Sequence, residues 1–555
     1  MVRTERFPLA SGTLTALGDL CDFPFKLHTY LGVHRTDTDT SRTYTFRYFA
    51  PSATAVYLVS DFLSWENGKR MTRLASGVWE LTLTSERSLE GASYKYKVYR
   101  ETVSDYCSDP YATREEGRGG YASLIATEAP VCTDSAAWEA HRRAQGKKPL
   151  HFLEVSLTSL VTKKNRLPYE EGAAYRYDEL ARALTVYAKS TGYTHVKLLS
   201  PSLFEKNSLF APAPRHGTPD DYAACLSYLH QNGIGTILAL PLPHTEEDAC
   251  RVLAASDFML SHYPIDGLWF EAPMDGQDGQ MSTDTLFSAF CSLQKRYPHA
   301  IFGCDCTESP ESVNNLAIPE GFLVRHTHTE DVLTDHLALP PALRAKDQER
   351  LIDALVSQAL ASQSKRLTRG GKESLMMRFF GSYEQKFSEN RLYHMMLIAS
   401  GSPKLSFMLA SLAPFRPWQD SLLPEWYMAD FKLHRAHRRF IRALNRFYLS
   451  TPLLWDEKTA ITCHHKDPER NVFSLKRKNK DGELLFIFNC SDTLYTDYTL
   501  PAAHTAYREC FSSDEESFAG EGYVNRLAIP CTDAGLTLNL APLSAVILEP
   551  NPYKI

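Results

Sequence analysis

The hydrophobic pattern changes period along the chain. Between residues 43 and 113 the segments TYTFRYFAP, AVYLVSDF, VWELTLT and SYKYKVYR are short, apolar and separated by turns. In the last, Tyr94, Tyr96 and Val98 alternate with Lys95, Lys97 and Tyr99, the period of a strand with one buried face. A small β-sandwich is predicted. From His151 strand-like runs alternate with helical ones. HFLEVSL is followed by YDELARALTVYAKSTG, with Leu180, Leu184, Tyr187 and Ala188 on one face and Gly192 as a stop signal. After THVKLLSP comes GTPDDYAACLSYLHQNGIG, where Thr218 can cap a helix and Pro219 can occupy its first turn. GIGTILALPL, FGCDC, GFLVRH and KLSFML continue the alternation. Such a series predicts an α/β fold, a closed (β/α)8 TIM barrel whose working face lies at the strand C-termini. Beyond Trp455, NVFSLKR, ELLFIFN, LTLNLAP and AVILEP predict a C-terminal antiparallel β-domain. The expected division is an extension over 1–40, a sandwich over 41–128, a barrel over 129–450 and the β-domain over 451–555.

Composition narrows the partners. At 555 residues, 43% hydrophobic and 23% charged, the chain is an ordinary globular one with room for several cores. Its 60 basic and 66 acidic side chains, net charge -6, give no field that would draw in nucleic acid or an anionic membrane. Twelve Cys without a repeating spacing point to reduced thiols and a cytoplasmic location. The segment MVRTERFPLASGTLTALGDL has no apolar run of signal-peptide length, and no stretch approaches the ~18 apolar residues of a membrane span.

The segments FRYFAPSATAVYLVSDFLSWE, GVWEL, YKYKV, DPYA, HFLEVSLTSL, YRYDELARAL, GYTHVKLLSP, FAPAPRHGTPDDY, LHQNGIGTIL and GKESLMMRFFGSYEQKFSENRLYHMML occur in one order along the chain. In that order they resemble the glycogen branching enzymes of the α-amylase superfamily. The resemblance implies a carbohydrate-binding β-sandwich before the barrel and α-glucan as ligand; no cofactor or metal is expected. It also implies three catalytic carboxylates, and those positions depart from the pattern. Retaining glycosyl transfer needs a carboxylate nucleophile and a carboxylic acid about 5 Å apart. In PIDGLWFEA the resemblance puts the nucleophile at Glu271, one methylene longer than the family's Asp, and a companion Arg at Trp269. A misplacement of about 1 Å can cost roughly 100-fold. The family's Ala-Glu-Glu-Ser-Thr falls on Gly303, Cys304, Asp305, Cys306 and Thr307, so the acid position is Cys304, with Asp305 turned to the opposite face. Without a proton donor a further factor of about 100 to 10,000 is lost. The third carboxylate falls on Arg366, and the Asp ending the third barrel strand is Ala239, while a His survives as His244. Two substrate loops are shortened, to LFEKNSLFAP and TEEDACRVLAASDF.

These losses together point to a pseudoenzyme. Glu271 and Asp305 are the candidates for a weak active enzyme; Glu271 as a solvated or salt-bridged strand-end residue is the favoured alternative. Trp269 is expected to fill the old pocket. Cys304 and Cys306 read as buried thiols. His326 and His328 would share a strand face, yet two ligands make no metal site. Trp65 and His244 remain as substrate-binding candidates, Trp65 because an indole face stacks on sugar rings. Trp79 is a second candidate of that kind, but one of the two is expected to be core, and Trp79, in an alternating strand, is expected to face the barrel. Three functions follow: an inactive homologue that binds α-glucan or a glycogen-metabolism protein, an active or weak branching enzyme, and a structural subunit of an active branching enzyme without sugar binding.

Overall fold

A computed structural model describes residues 24–37, 41–101, 103–117, 120–128, 136–144, 148–160, 175–199, 208–243, 245–271, 283–306, 321–357, 362–363, 373–401, 403–419 and 424–551. The N-terminal module is two antiparallel sheets packed face to face. Tyr94, Tyr96 and Val98 are fully buried between them with Tyr44, Phe46, Val56 and Leu58, as the alternation requires. The first strand, Gly32–Asp37, pairs with Arg42–Phe49, so the module begins inside the stretch expected to be an extension. GVHRTD carries no alternation that would have revealed it.

Eight parallel strands follow: β1 (His151–Val155), β2 (His195–Leu198), β3 (Gly235–Pro241), β4 (Gly267–Glu271), β5 (Ile301–Cys306), β6 (Leu323–His326), β7 (Ser362–Gln363) and β8 (Lys404–Phe407). They lie in the order β6-β5-β4-β3-β2-β1-β8-β7, the cyclic order of a (β/α)8 barrel. Helices α1 (Tyr177–Thr191), α2 (Pro219–Gln231), α3 (Glu246–His262), α4 (Thr283–Arg296), α5 (Thr327–Ala338), α6 (Tyr383–Ala399) and α7 (Lys432–Ser450) accompany them. Local signals set their ends. The Asp221 amide donates to Thr218 Oγ1 at 3.1 Å and the Asp221 carboxylate accepts from the Thr218 amide at 2.8 Å, a reciprocal cap at the start of α2. α1 ends at Gly192, whose φ of 89° is cheap only without a Cβ.

Period-two alternation splits the barrel side chains. Leu153, Val155, Val196, Leu198, Leu268 and Phe270 join the core shared with the helices, while Phe152, Ile237, Trp269 and Leu405 form a separate inner cluster. The C-terminal domain is eight antiparallel strands from Ala460–Asp467 to Ser544–Pro550. Four were expected; the other four are more exposed or irregular, like Tyr495–Leu500, whose pairing shifts register. Among the described residues no helix is long and apolar enough to cross a membrane.

Candidate functional site

Each of five barrel strands carries one charged residue, and the barrel brings these charges together. Glu154 on β1 and Lys197 on β2 are register partners, as are Asp305 on β5 and Arg325 on β6. Lys197 Nζ lies 2.9 Å from Glu154 Oε1 and 2.7 Å from Glu271 Oε1. Arg325 Nη2 donates to Asp305 Oδ2 at 2.6 Å, and its Nη1 lies 3.6 Å from Glu154 Oε1. Glu330, at the start of α5, stands 3.9 Å from Arg325 Nε. Two cations therefore hold four carboxylates inside a low-dielectric enclosure. Burial alone would lower the Lys197 pKa, but Glu154, Glu271 and Asp305 overcome that and raise it; Arg325 is likewise depressed by burial and raised overall by Asp305, Glu330, Glu154 and Glu271. Both remain charged.

Trp269 occupies the middle of this enclosure with no solvent exposure. Its Nε1–H donates to Asp305 Oδ1 at 2.7 Å, Lys197 Nζ sits 4.9 Å from its ring centre, and Phe152 meets it edge-on at 6.0 Å. Its register partners on the flanking strands are Ala239 and Gly303. A Cβ at Gly303 would come within 2.4 Å of Trp269 Cε3, so the indole is accommodated by the smallest residue on one side and a methyl on the other.

The residues singled out in the sequence separate as follows. Glu271 ends β4 with its side chain 9% exposed, bound to Lys197. Asp305 faces the barrel interior, whereas Cys304 packs outward in the core shared with the helices. The expected facing, with Cys304 inward and Asp305 turned away, is therefore reversed; the FGCDC run gives no polar alternation from which to tell its faces. His326 and His328 do not share a strand face: β6 stops at His326, and His328 is exposed in the first turn of α5. Among the described residues no group of three or more His, Cys, Asp or Glu is placed to hold a metal ion. His244 and Arg366 lie outside the described residues, and so does the side chain of Cys306. Trp79 packs inside the sandwich rather than against the barrel, its Nε1–H donating to the Ala50 carbonyl at 3.0 Å.

Trp65 is different. It is 37% exposed, and Asp61 fixes its edge by accepting from Nε1 at 3.0 Å while its other oxygen accepts the Ser93 amide. Tyr106, 48% exposed, donates its hydroxyl to the Trp65 carbonyl at 3.1 Å, and Lys97 Nζ sits 5.2 Å from the Tyr106 ring centre. Sequence reasoning missed Tyr106 and Lys97, since the strand pairing Tyr106 to Lys97 is four residues long and unpatterned.

Residues 30–112 match the model of carbohydrate-binding module 48 (isoamylase N-terminal domain), and residues 463–551 match the C-terminal all-β domain of α-amylase. The 1,4-alpha-glucan branching enzyme GlgB of Bacillus subtilis is 25% identical over 95% of this chain and 95% of its own length. That of Protochlamydia amoebophila is 25% identical over 91% of this chain and 80% of its own. Among solved structures, a Paenibacillus barengoltzii pullulanase in complex with maltohexaose and α-cyclodextrin superposes with a TM-score of 0.68 at 14% identity, covering 97% of this chain and 98% of that one. A Salmonella typhimurium protein described as a putative alpha amylase gives 0.65 at 13% identity, over 94% and 99%. With module, barrel order and C-terminal domain all in place, the chain has the fold of the α-amylase-type enzymes and is homologous over nearly its whole length to proteins named 1,4-α-glucan branching enzyme.

Proposed function

We propose that this protein is a catalytically inactive homologue of 1,4-α-glucan branching enzyme that retains α-glucan binding on its N-terminal module. The observation that carries the reading is the state of the two interior carboxylates. Glu271 is closed off by Lys197, and Asp305 is shared between Arg325 and the Trp269 indole. A retaining transfer needs one carboxylate free to attack the anomeric carbon and one carboxylic acid free to protonate the leaving oxygen. Here Glu271 and Asp305 are each ion-paired to a buried cation, and the Trp269 ring is buried in the barrel interior beside them, arguing against a free nucleophile and a free acid. The cytoplasm and a glycogen-metabolism context belong to the same proposal.

Glucan binding then falls to the exposed rings of Trp65 and Tyr106 with the Lys97 ammonium beside them, an apolar platform with a polar flank suited to a neutral sugar. The named ligand of the pullulanase relative, maltohexaose, is of that chemical class. One exposed platform supplies about 1 kcal/mol per ring, so affinity should be weak and should rise with chain length through multivalency. Affinity electrophoresis in glycogen or amylose gels tests this with the whole chain: retardation of the parent that falls sharply in Trp65→Ala and Tyr106→Ala supports it. Equal migration of parent and variants leaves a protein partner, such as an active branching enzyme, as the remaining role.

A second reading, a weak branching enzyme using Glu271 and Asp305, draws on one observation. The two carboxylates stand on adjacent strands near their C-terminal ends, with the Phe270 and Cys304 positions that precede them in register.

A further inference from the structure

The helix after β8 has one face made of arginine. In α7, KLHRAHRRFIRALNRFYLS, Arg435, Arg438, Arg439, Arg442 and Arg446 recur at helical spacing, while His434, His437, Phe440, Ile441 and Leu444 turn inward. The stripe spans about 16 Å at 1.5 Å per residue. Arg435, Arg439 and Arg446 are exposed and the other two half-buried. Among the described residues none of the five is ion-paired; the bonds they make are to backbone carbonyls, Arg435 to Asp430 and Arg439 to Ser517. α7 contains no acidic residue, so the i,i+4 compensation seen between Arg182 and Asp178 on α1 is absent.

Such a face works against the fold in two ways. Burial lowers the Arg442 pKa and repulsion from Arg438 and Arg446 lowers it further. Lys432 and Arg435 stand in or near the first turn, where the helix dipole disfavours cations. On a chain of net charge -6 this is a concentrated positive strip on an otherwise acidic molecule. At its N-terminal end the strip runs into exposed aromatic rings: Phe431, 54% exposed, contacts Tyr427, 45% exposed, with centroids 6.4 Å apart. Arginine with aromatic residues, and almost no lysine, is the composition of a protein–protein contact centre; neutral glucan offers no anion for five guanidinium groups to pair with.

We propose that the arginine face of α7, with Tyr427 and Phe431, is the docking surface for an acidic segment of a partner protein, most simply an amphipathic helix bearing Glu or Asp along one side. Guanidinium forks matched to carboxylates at i, i+3, i+4 and i+7 would supply specificity, and the two rings an apolar anchor. This is independent of the glucan reading, since it involves no residue of the N-terminal module.

The test uses the full chain and a synthetic helical peptide of about 18 residues, long enough to span the strip. It carries Glu at helical spacing along one face and a Trp at one end. The comparison probes are a peptide of the same composition with its Glu residues scattered round the helix, and a short DNA duplex. In about 0.15 M salt, where exposed charges act only over ~8 Å, the patterned peptide should bind at least about tenfold more tightly than either. Reversing the three exposed charges, Arg435→Glu, Arg439→Glu and Arg446→Glu together, should weaken the patterned peptide by about 30-fold or more. Lysine at the same positions keeps the charge, loses the forks and should weaken it by roughly three- to tenfold. Because the strip repels itself, Arg439→Gln with Arg446→Gln should melt no lower than the parent, which separates lost binding from lost folding. Equal or tighter binding of the duplex, no preference between the two peptides, or variants that bind unchanged would overturn the proposal.

Discussion

Lys197→Met isolates the ion network inside the barrel. Lys197 has no exposed side-chain surface, and neither has Glu154; Glu271 is 9% exposed. At 2.9 and 2.7 Å, and with an effective dielectric constant of about 20, each contact has a gross attraction of about 6 kcal/mol. The ammonium's own desolvation penalty, removed by the substitution, offsets much of that. What remains is the cost of leaving two carboxylates buried with one cation fewer, and such losses run to about 3–5 kcal/mol. Met conserves length and apolar volume, so the packing against Trp269 changes little. A three-domain chain need not unfold in one step, so the loss is best read locally, from hydrogen exchange at the β2 and β4 amides. Those amides should exchange faster by the equivalent of about 3 kcal/mol or more, roughly 150-fold, while amides of the N-terminal module stay unchanged. Adding Glu154→Gln should recover part of the loss, because the remaining carboxylates then have Arg325 between them. A loss under about 1 kcal/mol would mean that the pairs are no stronger than surface ones, and the picture of a locked interior would fail.

Gly303→Ala should cost about 1–3 kcal/mol through collision with the rigid Trp269 ring, and Trp269→Leu in the same chain should relieve it; additive effects in thermal melts would refute the coupling. Acid should destabilise the fold before its carboxylates titrate. His151 and His394 are each pushed down to about 3 by burial, while an unfolded chain binds protons at about 6.5. The unfolded state therefore holds more protons between those values, and stability present above pH 6.5 is lost as pH falls, by about 2 kcal/mol per group at pH 5. A melting temperature that is flat from pH 7 to 5 in the parent, or unchanged in slope in His394→Gln, would contradict this.

Much of the architecture is legible in the sequence because the fold is written in periods. The segments HFLEV, HVKL and GTILALP name the first three barrel strands, and Thr218 and Gly192 mark helix ends by chemistry that holds for any helix. The site is less so. Glu154, Lys197 and Arg325 are visible as lone charges in apolar runs, but their meeting depends on register between strands far apart in sequence. In FGCDC the flanking residues are apolar or small on both sides, so nothing local says that Asp305 faces inward and Cys304 outward. His328 departs from the strand expected for it for a related reason: β6 gives way to α5 without a turn residue between them. Tyr106 reaches Trp65 only through the pairing of two strands.

The central claim is that the barrel interior no longer performs glycosyl transfer. The most direct measurement is an iodine-stain and reducing-end assay of the purified chain on amylose, run beside an active branching enzyme, with Glu271→Ala as the paired variant. The account predicts no branching and no new reducing ends above background, the same for parent and variant; turnover in the parent that vanishes in Glu271→Ala would contradict it.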